Sequence, residues 1–104
     1  MQQLVIVVKP FRAEAVLKLL AEMSVDSVVV REAKGYSRQK GYLDRYLGSE
    51  YSMAFLPKVE ITAHLRDDLV EPVIAAVSRT ARTGRMGDGK IFLVPMDDVQ
   101  MLEF

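Results

Sequence analysis

The ten residues LPKVEITAHL, 56 to 65, alternate apolar and polar side chains almost without a break. Val59, Ile61, Ala63 and Leu65 fall on one side; Glu60, Thr62, His64 and then Arg66 fall on the other. Successive side chains of a β-strand point to opposite faces, so a strict period of two marks a strand buried on one face only. Its polar side reads as that of an edge-like strand, on which His64, the one histidine, is exposed. Such a strand needs neighbours to pair with and an apolar layer to cover one face.

The flanking segments supply both. Leu4 to Val8 is a continuous aliphatic run, too short for a helix and suited to a buried strand. Lys9-Pro10 ends it, and proline is well placed to open a helix. In PFRAEAVLKLLAEM, Val16, Leu19, Leu20 and Met23 recur at helical spacing. VDSVVVREAKGY predicts a second strand centred on Val28 to Val30. Asp67-Asp68 is an N-cap candidate for LVEPVIAAVSRTA, whose stripe is Val70, Val73, Ile74 and Val77. Pro72 fits only the first turn of that helix, where backbone N–H groups lack an intrahelical partner. KIFLV predicts a fourth strand, and VQMLEF a short strand or tail.

The order β-α-β-β-α-β is the ferredoxin-like α+β arrangement, an antiparallel sheet with two helices on one face. With 104 residues it forms one domain, 1–104. The first and last strands are apolar at consecutive positions, which implies cover on both faces. A second copy of the chain is the simplest cover for the face without helices, so a homo-oligomer is expected.

Composition removes several function classes. Formal net charge is zero and the pI is about 6.6, which gives no bulk attraction to nucleic acid or to an anionic membrane. There is no cysteine for a disulfide, a thiolate nucleophile or a zinc finger. The start MQQLVIVVKPF has no basic signal-type opening and is too short to span a bilayer, so no membrane insertion and a cytoplasmic location are expected. The acid pairs Asp67-Asp68 and Asp97-Asp98 read as cap and turn residues, not as metal ligands or general acid/base pairs. No catalytic residues are assigned, and an enzyme is not expected.

Two segments exceed what the fold requires. Residues 36–55 have no helical or strand period, whereas a strand-to-strand hairpin needs only about two to five residues. All four tyrosines lie there, Tyr36, Tyr42, Tyr46 and Tyr51, among Arg38, Lys40, Asp44, Arg45 and Glu50. Tyrosine and arginine are residues of partner-binding hot spots, while a solvated loop packed at its base has the same composition. The second segment is TGRMGDGKIF, 83 to 92. Gly84, Gly89 and Lys90 match P-loop spacing, but Ile91 replaces the hydroxyl residue that would hold magnesium. The order helix, glycine turn, strand is also the reverse of a P-loop. What remains is either a ligand-free turn or an anion nest in which Gly84, Gly87 and Gly89 turn N–H groups inward and Lys90 adds charge.

At this point the chain resembles the PII nitrogen-regulatory signal-transduction family. Thr83, Gly87, Asp88, Gly89, Lys90, Ile91, Phe92 and Leu93 match its C-terminal signature, and YLGSEY at 46–51 resembles its loop signature. KPF at 9–11, RQKG at 38–41 and FLPK at 55–58 match as well. The resemblance implies a homotrimer with ATP or ADP between subunits, bound by Gly35, Arg38, Thr83, Gly84, Gly87, Asp88, Gly89 and Lys90. It implies an effector site of Ser37, Gln39, Gly41 and Lys58 for 2-oxoglutarate, with magnesium at Gln39 only when ATP and 2-oxoglutarate are both bound. It further implies that the loop at about 36–55, the T-loop, docks on a membrane transporter of the ammonium type or on a nitrogen-assimilation enzyme. Tyr51 matches the tyrosine that some bacterial members have uridylylated.

The chain also departs from the family. Ser37 and Leu47 stand where glycine and a basic residue are usual, Val29 and Thr62 where threonine and glutamate are common, and Met101 and Glu103 where two phosphate-binding arginines are usual. These departures leave an alternative, a relative that senses another metabolite such as bicarbonate and controls a non-ammonium transporter. A loop without apolar periodicity has little to bury. Under native conditions trypsin should therefore cut first at Arg38, Lys40 or Arg45, and effectors should change the rate. Equal protection with and without effectors contradicts this reading of the loop.

Overall fold

The computed structural model describes residues 1–25, 27–35, 56–84, 88–97, 100, 102 and 104. Strand β1 (Gln2–Val8) leads through Lys9 into helix α1 (Pro10–Glu22); β2 (Ser27–Gly35) and β3 (Leu56–Leu65) follow. A single 3-10 turn (Asp67–Leu69) then leads into α2 (Val70–Ala81) and β4 (Gly89–Pro95). The four strands form one antiparallel sheet in the order β2-β3-β1-β4. That is the ferredoxin-like arrangement which the periodicities predict.

The alternation in β3 explains how the layers join. Leu4, Ile6 and Val8 of β1 pair with Ala63, Ile61 and Val59, placing both sets on one face. On that face they meet Ala13, Val16 and Leu20 of α1 and Val70, Val73, Val77 and Ala81 of α2 in one continuous core. Both predicted helical stripes are present, with Leu19, Met23 and Ile74 packed partly buried against this core. Ala13 and Ala81 are buried in it as well.

The opposite face has no covering element among the described residues. It carries Val5 and Val7, half-buried, with Val29, Phe92 and Val94 exposed. Phe92 sits across from Val5 and Val29 across from Thr62, so these side chains share the open face.

Three expectations are corrected. Strand β3 is an interior strand, paired with β1 and β2, and is not edge-like. Its polar residues face the uncovered side of the sheet rather than a free edge, and His64 is half-buried against Gln3, 3.2 Å away. Asp67 and Asp68 do not cap α2. The helix begins at Val70 with Leu69 as N-cap and no side-chain cap bond. The intervening 3-10 turn displaces the aspartates: Asp67 pairs with the N-terminal ammonium at 3.1 Å and Asp68 with Arg66 at 3.2 Å. As for VQMLEF, Gln100, Leu102 and Phe104 are in no strand, and the other three residues lie outside the described set.

Helix α1 ends without a glycine signal. Ser24 takes φ 59°, its N–H bonds to the Ala21 carbonyl, and Val25 N–H reaches back to the Leu20 carbonyl. This is the crossed pair of bonds that usually carries glycine at the left-handed position. Among the described residues no helix is long and apolar enough to cross a membrane.

Ile61 lies fully buried at the centre, paired with Ile6 on one side and Val30 on the other. Replacing it by alanine removes core volume that neighbours on two strands cannot fill. Ile61→Ala should cost about 2–5 kcal/mol in a urea titration, against a few tenths for the exposed Glu14→Ala.

Candidate functional site at one end of the sheet

Strand register brings the site together. Val8 pairs with Val59 on one side and with Gly89 on the other, while Lys58 pairs with Ala33. One step past Val8, the neighbouring strands therefore present Lys58, Lys9 and Asp88 on a single rung. Lys90, across from Val7, is the next residue along β4. Side chains alternate along each strand, so Lys9, Lys58 and Lys90 belong to the uncovered face.

Lys58 is 8% exposed, unusual for a lysine. Its ammonium is held below the usual lysine range, first by burial and then by the charges of Lys9 and Lys90, with Asp88 acting in the opposite direction. Burial disfavours the charged form, and neighbouring like charges disfavour it further.

Asp88 organises the turn before β4. Its carboxylate accepts from the Thr83 N–H at 2.7 Å, the Gly84 N–H at 2.9 Å and the Thr83 hydroxyl, and pairs with Lys9 Nζ at 3.2 Å. These bonds favour the ionised form, and the carboxyl is held well below the usual carboxylate range. The Thr83 hydroxyl is the largest cause, the Thr83 N–H, Lys9 and Gly84 add to it, and desolvation opposes them. A depressed carboxyl contributes stability above its unfolded value of about 3.9, and that stability is lost as the pH falls towards the folded value.

The two described glycines of the turn serve different ends. Gly84 has φ 84°, a left-handed conformation that side chains resist, in otherwise open space. Gly89 lies so close to β1 that an added Cβ would sit 2.5 Å from the Val7 carbonyl oxygen. Behind this turn an open cavity of about 240 Å³ separates α2 from β4, walled by Ile74, Val77 and Ala81 with Arg82 and Lys90 also lining it. A second cleft, lined by Ala33, Lys34, Pro57 and Lys58, lies where β2 and β3 run into residues 36–55.

The predicted site residues divide accordingly. Lys58, Asp88, Gly89 and Lys90 converge with Thr83 and Gly84 at one end of the sheet. Gly35, paired with Leu56, lies further along the hairpin that extends past Lys58. Ser37, Arg38, Gln39, Gly41, Tyr51 and Gly87 lie outside the described residues, as do Met101 and Glu103. Lys9 is the residue that sequence reasoning missed. Its signal was its place directly after β1 in KPF, but only the register shows that it meets Asp88.

Comparison of the sequence with known proteins gives the family. The family model "Nitrogen regulatory protein P-II" matches residues 1–103. The chain belongs to the P-II family. It is 44% identical to a nitrogen regulatory protein P-II of Azospirillum brasilense over 99 residues, 95% of this chain and 88% of that protein. It is 45% identical to the one of Bradyrhizobium diazoefficiens over 98 residues, covering 94% and 88%. With the nitrogen regulatory protein GlnK of Escherichia coli the identity is 42% over 99 residues, covering 95% and 88%.

The glycines of this P-II chain lend themselves to a paired test. Gly89→Ala has to push β4 away from β1 and should cost about 1–3 kcal/mol. Gly84→Ala meets no atom and should cost only its left-handed backbone, about 1–2 kcal/mol. Thermal melts of the two should also differ after substitution by valine, with Gly89→Val much the worse. Equal losses would contradict the close approach of Gly89 to Val7.

Proposed function

We propose that this P-II protein is a non-enzymatic signal-transduction regulator of nitrogen metabolism that binds ATP or ADP at the lysine end of its sheet. The observation that carries this reading is the gathering of Lys58 and Lys90 with the Lys9–Asp88 pair beside a glycine turn. Lysines gathered at one end of a sheet suit a polyanion, and phosphates suit backbone N–H groups and point charges together. Lys90 and the N–H groups at the start of β4 would hold phosphate oxygens. Gly35 and Arg38, at the root of the 36–55 segment, would contact the same nucleotide.

The lysines share their face of the sheet with Val5, Val29, Phe92 and Val94, which the chain itself leaves uncovered. Further copies laid on that face, three in all, would bury these side chains and close the nucleotide cleft between subunits. The effector would lie at Ser37, Gln39, Gly41 and Lys58, where a dicarboxylate such as 2-oxoglutarate would meet the Lys58 ammonium. Magnesium would be held there at Gln39, only together with ATP and 2-oxoglutarate. Proteins of this family regulate transporters and enzymes, and residues 36–55, with Tyr51 as their modification site, would be the docking surface. Met101 and Glu103 support the alternative of another metabolite, such as bicarbonate, and a non-ammonium transporter.

Calorimetry with ATP, ADP and AMP on the full chain tests the site. At least one nucleotide should bind, and Lys90→Ala should weaken it about tenfold or more, as loss of a charge-assisted bond implies. Absence of binding by all three contradicts the site. Lys58 adds a pH signature. An anion beside it favours the charged form, so binding of 2-oxoglutarate with ATP and magnesium should take up protons over the pH range in which the lowered Lys58 ammonium titrates, and less at pH values below that range. Titrations across a pH series in buffers of different ionisation heat measure the uptake; none at any pH contradicts a role for Lys58.

A further inference from the structure

The turn between α2 and β4 already holds an anion, and it is the chain's own. Thr83 N–H and Gly84 N–H point at one oxygen of the Asp88 carboxylate, while the Thr83 hydroxyl and Lys9 engage the other. Both side chains of the Lys9–Asp88 pair are largely covered, 17% and 19% exposed. Two consecutive backbone donors, a hydroxyl and an ammonium make a complete anion-binding constellation. The left-handed φ of Gly84 is what turns the second donor inward. Sequence reasoning assigns the Gly84 donor to a ligand, but the geometry gives it to Asp88.

We propose that Asp88 is a positioning residue that acts as a built-in anion, filling the Thr83–Gly84 end of the glycine turn so that a bound nucleotide's phosphates are confined to the Gly89–Lys90 end. The proposal rests on the nucleotide reading above only for where the ligand goes; the occupancy of the nest by Asp88 is testable without any nucleotide. The carboxylate has two effects. It ties the turn after α2 to the end of β1 through Lys9, which sets where β4 begins and therefore where Lys90 stands. It also places a negative charge at the Thr83 and Gly84 donors, where a phosphate would otherwise settle. Lys9 is assigned to this clamp and not to the ligand.

The test uses the full chain with isotope-labelled backbone amides. In wild type, inorganic phosphate and formate should leave the Thr83 and Gly84 signals unmoved, because the nest is filled. In Asp88→Ala the two signals should move towards the positions of amides without a strong acceptor, and formate should return them towards wild type by occupying the vacated nest. A residue that merely packs would not be replaced by a soluble carboxylate. Thr83→Ser keeps the hydroxyl and should behave as wild type, while Thr83→Val should loosen the clamp. If Asp88→Ala does not fold, Asp88→Asn and Thr83→Val supply the same comparison. On the ligand side, Asp88→Asn and Thr83→Val should weaken ADP binding about tenfold, and Thr83→Ser should remain within about twofold of wild type. Thr83 and Gly84 signals indifferent to Asp88→Ala and Asp88→Asn, or moved by phosphate in wild type, overturn the proposal. Wild type that binds no nucleotide while these signals behave as described refutes the nucleotide reading and leaves the clamp standing.

Discussion

The pairing of Val8 with Val59 on one side and with Gly89 on the other decides where three strands end relative to one another. A one-residue slip in either ladder would turn every side chain of that strand to the opposite face. A slip of β3 would bury its polar side against the helices and part Lys58 from Lys9, and a slip of β4 would part Asp88 from Lys9. The apolar core at Leu4, Ile6, Ile61 and Ala63 therefore enforces the register, and the register builds the charged end of the sheet. Core and site are two consequences of the same alternation.

Crowding three ammonium groups at the end of a sheet opposes folding, because like charges repel and burial of Lys58 adds desolvation. The fold offsets part of this with Asp88, whose carboxylate accepts from the Thr83 and Gly84 N–H groups and pairs with Lys9. Unfavourable electrostatics retained in this way are what a binding site for an anion entails. The uncovered apolar face adds a second local conflict, with Phe92 and Val29 each about half exposed. Both conflicts lie on the same side of the sheet, so a subunit interface and an anion bound at its margin would relieve them together.

Much of the fold was legible in the sequence because it rests on local periodicity. The alternation of β3, the stripes of both helices and the β-α-β-β-α-β order all stand in the structure. What failed were judgements that depend on strand order. The polar side of β3 resembles an edge strand until β2 and β1 are seen on either side of it. Asp67 and Asp68 look like a cap until the 3-10 turn carries them away from the helix. The end of α1 gave no glycine signal because Ser24 takes the left-handed conformation itself. At the site, motif residues announced Asp88, Gly89, Lys90 and Lys58. Asp88 as an internal anion, and Lys9 as its partner, depend on contacts between residues 79 positions apart and could not be read from spacing.

The central claim is that the lysine end of the sheet is a nucleotide site, and a map of backbone amide signals during addition of ADP to the labelled chain tests it most directly. The account predicts changes concentrated at Lys9, Lys58, Gly89 and Lys90, with little at Asp67, Leu69 and Glu71 at the opposite end. Changes centred on that opposite end, or a map unaltered at saturating ADP and ATP, would contradict it.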